Sequence, residues 1–113
     1  MMGKRRKLSA REYSLVVGLI SRSDLGEDKK SALIESARDA PVEELSDGGM
    51  GSLRFFWGGC EIRKFGRKIA EREFFDSDGV EISVAINLDQ LGDLYELDLW
   101  KVDFSKVKVF PSI

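Results

Sequence analysis

The sequence predicts an α+β domain in which two N-terminal helices pack on one face of a five-stranded antiparallel meander sheet. Three observations carry this reading. Apolar residues between Tyr13 and Ala37 fall at helical spacing, and from Val42 onward the period changes to two. Val80 to Phe104 then reads as two long strands joined by one short turn. Val80, Ile82, Val84, Ile86 and Leu88 occupy one parity, while Glu81, Ser83, Ala85 and Asn87 occupy the other.

Ser9 followed by Glu12 is a capping box and sets the start of the first helix. Its apolar stripe is Tyr13, Val16, Val17 and Ile20, widened by Leu15 and Leu19, and Ser21 to Gly26 interrupts it. A second helix spans about Glu27 to Ala37, with Asp24 or Glu27 as starting cap and a weaker stripe through Leu33 and Ala37. Asp39-Ala40-Pro41 ends it, because the residue before proline avoids helical geometry.

Val42 to Ser46 is a short strand, and the glycines of Asp47-Gly48-Gly49-Met50-Gly51 mark a turn. Ser52 to Trp57 is the second strand, with Leu53, Phe55 and Trp57 on one side and Arg54 and Phe56 on the other. Cys60 to Lys64 is a loop, and a third strand runs from about Gly66 to Phe75. Asp76-Ser77-Asp78-Gly79 is a hairpin turn with an Asp-Gly signal at its end. In the last strand Tyr95, Leu97 and Leu99 alternate with Glu96, Asp98 and Trp100, so the final two strands form the centre of the sheet.

Composition narrows the chemistry. The 113 residues make one domain, 1–113, with residues 1–7 as a basic flexible arm that folding does not need, since the first helix carries its own cap. The chain has no histidine, which removes triads built on it and the commonest general base near neutral pH. Cys60 is the single cysteine, so neither an intrachain disulfide nor a thiolate zinc cluster can form, and the cytoplasm is the expected location. We read Cys60 as a packing or loop residue. No cofactor or metal is expected: the Gly48–Gly51 turn is followed by a strand where a phosphate loop requires a helix, and the aspartates at 76, 78, 89 and 93 lack calcium-loop spacing.

The net charge of −2 hides an asymmetry. Lys4, Arg5, Arg6 and Lys7 supply four of the 18 basic residues, which leaves 14 against 20 acidic ones and a body of −6. Such an arm ahead of an acidic body gives at most a weak, salt-sensitive nucleic-acid contact. The Leu15–Ile20 run is too short for a signal peptide, and no stretch is apolar and long enough to span a membrane.

On the parity opposite to the core, Arg54, Phe56, Glu96, Asp98 and Trp100 share one sheet face. Aromatic and arginine side chains carry much of the energy at protein interfaces, so this face is the candidate recognition surface. The alternative is that Trp100 packs under the arm or a loop. Three functions compete: a non-enzymatic protein-binding domain with a basic partner, a small enzyme using the Glu96 and Asp98 carboxylates, and a weak nucleic-acid binder acting through the basic arm.

At Asp47–Leu53, Ile69-Ala70-Glu71, Leu88-Asp89 and the run Glu96–Phe104, the chain resembles a family of short uncharacterised bacterial proteins over nearly its whole length. Those are similar in turn to small α+β proteins classed as immunity-like in bacterial toxin systems. The resemblance implies a binding protein, an antagonist of a basic toxin, and supplies no catalytic residue. Within its most specific run, Leu97 and Leu99 point to the core, Glu96, Asp98 and Trp100 point outward, and Lys101 and Asp103 stand near the strand's end.

Overall fold

The capping box forms as its spacing requires: the Glu12 N–H donates to the Ser9 hydroxyl at 3.2 Å, and the Ser9 N–H donates to the Glu12 carboxylate at 2.8 Å. Helix α1 then runs from Ala10 to Arg22 and buries Leu15, Val16, Leu19 and Ile20. The computed structural model describes residues 5–46, 49–56 and 62–112. The expectations for Trp57, Cys60 and the Asp47-Gly48 part of the first turn lie outside the described residues.

Helix α2, Glu27–Asp39, starts at Gly26 without a side-chain cap, so neither Asp24 nor Glu27 plays the capping part assigned above. Only Leu33 and Ala37 are buried along it. That narrow stripe suffices because α2 packs on α1, and it is α1 that lies on the sheet, against its third and fourth strands.

The strands are β1 Val42–Glu44, β2 Leu53–Phe55, β3 Phe65–Phe75, β4 Glu81–Asp89 and β5 Leu94–Lys101. Every pairing is antiparallel, but the spatial order is β1-β2-β5-β4-β3, which corrects the meander. The last strand enters between β2 and β4. Leu53 faces Leu97 and Arg54 faces Glu96 on one side of β5, while Ile86 faces Leu97 on the other. The Ser52 hydroxyl fastens the β2 side by accepting from the Leu99 N–H at 2.9 Å and donating to the Leu99 carbonyl at 3.2 Å.

Period-2 alternation builds the core from Leu53, Phe55, Ile82, Val84, Ile86, Leu97 and Leu99, all fully or almost fully buried against the helix stripe. The β5 parity has one exception. The pairing shifts between Asn87↔Glu96 and Leu88↔Leu94, leaving Tyr95 as an extra residue. This bulge moves Tyr95 off the core parity, where Leu94 takes its place, and sets its ring 5.3 Å from the Arg54 guanidinium and 5.4 Å from that of Arg63.

Gly79 and Gly66 answer two different backbone demands. Gly79 has φ 80° and closes the β3–β4 hairpin, donating to the Asp76 carbonyl at 2.9 Å. Gly66 sits where the β3–β4 register shifts, and a Cβ there would lie 2.2 Å from the Asp89 carbonyl oxygen.

The basic arm departs from expectation over Arg5 to Lys7. Arg6 forms a two-way backbone bridge with Val42, donating at 2.9 Å and accepting at 2.6 Å, and so extends the sheet beyond the edge of β1. Its guanidinium grips the Glu12 carboxylate with bonds of 2.7 and 2.9 Å, Arg5 reaches Glu43 at 3.1 Å, and Lys7 reaches Asp39 at 3.1 Å. The sequence hides this because the acidic partners are scattered over the helices and β1.

Candidate functional site: the uncovered sheet face

Helix α1 covers one face of the sheet, and the opposite parity of β1, β2, β4 and β5 carries the residues singled out from sequence. Register sets them in rows. Glu43, Arg54, Glu96 and Asn87 are successive cross-strand neighbours; Asp98 follows opposite Ala85, and Trp100 opposite Ser83. Arg54, Glu96, Asp98 and Trp100 therefore do gather on one side. Phe56 lies beside them, with the Arg5 guanidinium 4.0 Å above its ring.

Arg54 and Glu96 neutralise each other, with one bond at 2.9 Å from Nε and a second from the terminal guanidinium nitrogen. This leaves Asp98 as the anomalous acid. Its environment pushes the carboxyl up to about 6: burial contributes most, the neighbouring Glu96 adds repulsion, and the 2.6 Å bond donated by the Asn87 amide only partly offsets them. The pair thus holds one firmly ion-paired carboxylate beside one raised to about 6.

The other end of this face is apolar. Trp100 is 49% exposed, so it is not covered by the arm or a loop. Its ring meets Phe104 at a centroid distance of 5.8 Å and a tilt of 49°. Phe104 is 71% exposed and has φ 63°, a left-handed conformation that a bulky residue adopts at a cost. Phe75, across from Glu81, and Val102, whose N–H donates to the Glu81 carbonyl at 3.0 Å, complete an exposed apolar patch. Glu73 and Glu81 flank it, and neither has a basic partner among the described residues.

Two polar networks were missed from sequence. Lys101 continues the core parity of Leu97 and Leu99, and its ammonium is fully buried. It donates to Asp76 at 2.8 Å, Asp78 at 2.6 Å and the Lys106 carbonyl at 3.2 Å, using all three donors. Burial alone would raise the Asp76 carboxyl, but Lys101 and the N–H groups of Lys108, Ser77 and Val109 hold it well below the usual carboxylate range. Arg63 likewise bonds Asp89 at 2.9 Å and the carbonyls of Phe55 and Leu94, tying the loop before β3 to the middle of the sheet. A lysine on an otherwise apolar parity was the available signal for the first; nothing local marks the second.

Among the described residues, no group of three or more His, Cys, Asp or Glu side chains is placed to hold a metal ion. No described helix is long and apolar enough to cross a membrane.

Fold and face together define a two-helix α+β domain with one uncovered, acidic and aromatic sheet surface. The chain belongs to the family described as a domain of unknown function, DUF6984, whose model matches residues 5–111. No curated protein and no solved structure matches it.

Proposed function

We propose that this chain is a non-enzymatic protein-binding domain that presents its uncovered sheet face to a basic partner, as an immunity-type antagonist would present an acidic surface to a basic toxin. The observation that carries the reading is the aromatic pair Trp100–Phe104, held in the open by a left-handed turn beside the unpaired acids Glu73 and Glu81. Large aromatic side chains in a charged rim are the usual anchors of a protein interface, and acidic flanks steer a basic partner during encounter. Bacterial origin and cytoplasmic residence belong to the same proposal.

The carboxylate pair favours a second reading, a small enzyme in which Asp98 donates a proton near neutral pH. Nucleic-acid binding through the arm has less support, since Arg5, Arg6 and Lys7 spend their charge on Glu43, Glu12 and Asp39. The test is co-expression of the chain with the products of its neighbouring genes, followed by capture with wild-type protein, Trp100→Ala and the Glu73→Lys/Glu81→Lys double variant. Binding is expected for the wild type and lost in both variants while their circular dichroism is unchanged. Capture that survives both variants overturns the assignment of the face.

A further inference from the structure

At the end of the sheet remote from Trp100, which pairs with Ser83, roughly 20 Å away along β4, a cleft of about 570 Å³ opens between the first turn of α2, the start of β3 and the β4–β5 hairpin. Leu25 and Leu88 give it an apolar floor, and Phe65, 56% exposed, stands among its lining residues. Two cations are among its lining residues. Arg67, aligned with Leu88 by the bulge at Gly66, comes from the β3 wall. Lys29 comes from α2 and leans on the hairpin, its Nζ 3.4 Å from where a Cβ on Gly92 would stand.

The two polar hairpin side chains that line the cleft are already engaged. Both oxygens of Asp89 are occupied, by Arg63 and by the N–H groups of Leu91 and Asp93. The Gln90 amide is spent on Lys64 and Ile62. Lys29 has no acidic partner among the described residues, and Arg67 has only Asp24, at 3.4 Å and 87% exposed, a pairing of the weak surface kind. Within a body of net −6, two cations left over an apolar floor call for an anion from outside.

We propose that this cleft binds a small planar anion, an aromatic carboxylate or aryl phosphate, with its ring on Leu25, Leu88 and Phe65 and its charge between Lys29 and Arg67. The volume lies in the range of small-molecule sites and has room for an aromatic ring system with its oxyanion. A guanidinium and a phenyl ring lining one cleft favour a flat ligand with a terminal oxyanion, since arginine both stacks on rings and bonds oxyanions. The site is separate from the sheet face, so either can fail without the other.

The experiment is a titration of the full chain with 1-naphthyl phosphate, followed by amide chemical shifts, with 1-naphthol as the neutral control. Saturable shifts are expected at Leu25, Lys29, Phe65, Arg67 and the hairpin, with affinity about tenfold weaker for the neutral control, as a charge-assisted contact implies. Lys29→Ala/Arg67→Ala, both at exposed positions, should weaken phosphate binding to the level of the control. Asp24→Asn should tighten it by releasing Arg67, whereas Trp100→Ala should leave it unchanged. Shifts that do not saturate, that map to the Trp100 face, or that persist at full affinity in the double variant overturn the proposal. If the double variant is unfolded by circular dichroism, Lys29→Gln and Arg67→Gln singly take its place, with the same loss required.

Discussion

The buried Lys101 ammonium lies 2.8 Å from the Asp76 carboxylate, which in turn accepts from the backbone N–H groups of Lys108 and Val109 at 2.6 and 2.9 Å. One ion pair therefore fixes both the end of β5 and the segment that follows it. Asp76→Ala is expected to lower the melting temperature far more than Asp103→Ala, because it leaves the buried Lys101 ammonium with Asp78 as its one carboxylate and deprives the Lys108 and Val109 N–H groups of their acceptor. Amide exchange at Lys108 and Val109 should rise at the same time. Replacing both partners, as Lys101→Met/Asp76→Leu, should recover part of the loss; a double variant worse than Asp76→Ala would contradict this account.

Trp100 and Leu97 lie on the same strand with opposite parity and should respond oppositely. Leu97→Ala should cost about 2–5 kcal/mol, since a fully buried side chain leaves a cavity. Trp100→Ala, at 49% exposure, should cost less than about 1 kcal/mol. Urea denaturation of the two variants decides. Equal losses would place Trp100 in the core.

The raised Asp98 carboxyl gives a pH signature. The folded protein holds this proton up to about 6, against an ordinary 3.8, so the folded state binds protons more tightly and stability falls as pH rises between those values. Asp98→Asn removes the penalty. The variant should match the wild type near pH 4 and exceed it by about 1 kcal/mol above pH 7, a figure reduced for solvent screening at a partly exposed site. The lowered carboxyls of Asp76, Glu12 and Asp89 act in the other direction, losing their contribution as pH falls below the usual carboxylate range. A pH-independent difference between Asp98→Asn and wild type would remove the assignment.

Gly66 and Gly79 separate two reasons for glycine. At Gly79 a side chain meets open space but a strained φ, so Gly79→Ala should cost about 1 kcal/mol and Gly79→Val more. At Gly66 an added Cβ meets the Asp89 backbone, which cannot move without breaking the hairpin. Gly66→Ala should therefore be the more damaging, measured by thermal melts of the two alanine variants.

Removing residues 1–7 should destabilise the domain by roughly 1 kcal/mol, the usual worth of a partly exposed charge-assisted pair and a backbone bridge. Arg6→Ala alone should show about half of that. An unchanged melting temperature would mean that the bridge to Val42 adds nothing to stability.

Much of the architecture was legible because period and parity are local properties. The Ser9–Glu12 cap, the Asp78-Gly79 turn and the inward set Ile82, Val84, Ile86, Leu97 and Leu99 could all be read from neighbours in sequence. Strand order could not, because the partner of Leu53 is Leu97, and nothing near either residue names the other. The Tyr95 bulge escaped for a related reason: alternation assumes an unbroken ladder. At the candidate face Arg54, Glu96, Asp98 and Trp100 were legible as one side of the sheet, but their chemistry was not, nor were Phe75, Val102, Phe104 and Glu73 beside them. That Arg54 quenches Glu96 and leaves Asp98 to titrate depends on cross-strand register.

The insertion of β5 between β2 and β4 has a consequence for the order of events during synthesis. β1 and β2 can pair as soon as they emerge, as can β3 and β4, but these hairpins share no ladder until residues 94–101 leave the ribosome and zip them together. Until then Leu53 and Phe55 on one side, and Ile82, Val84 and Ile86 on the other, present strand edges with no neighbour. The nascent chain thus carries two half-sheets open to misplaced pairing, and the closing strand arrives only after both have been made.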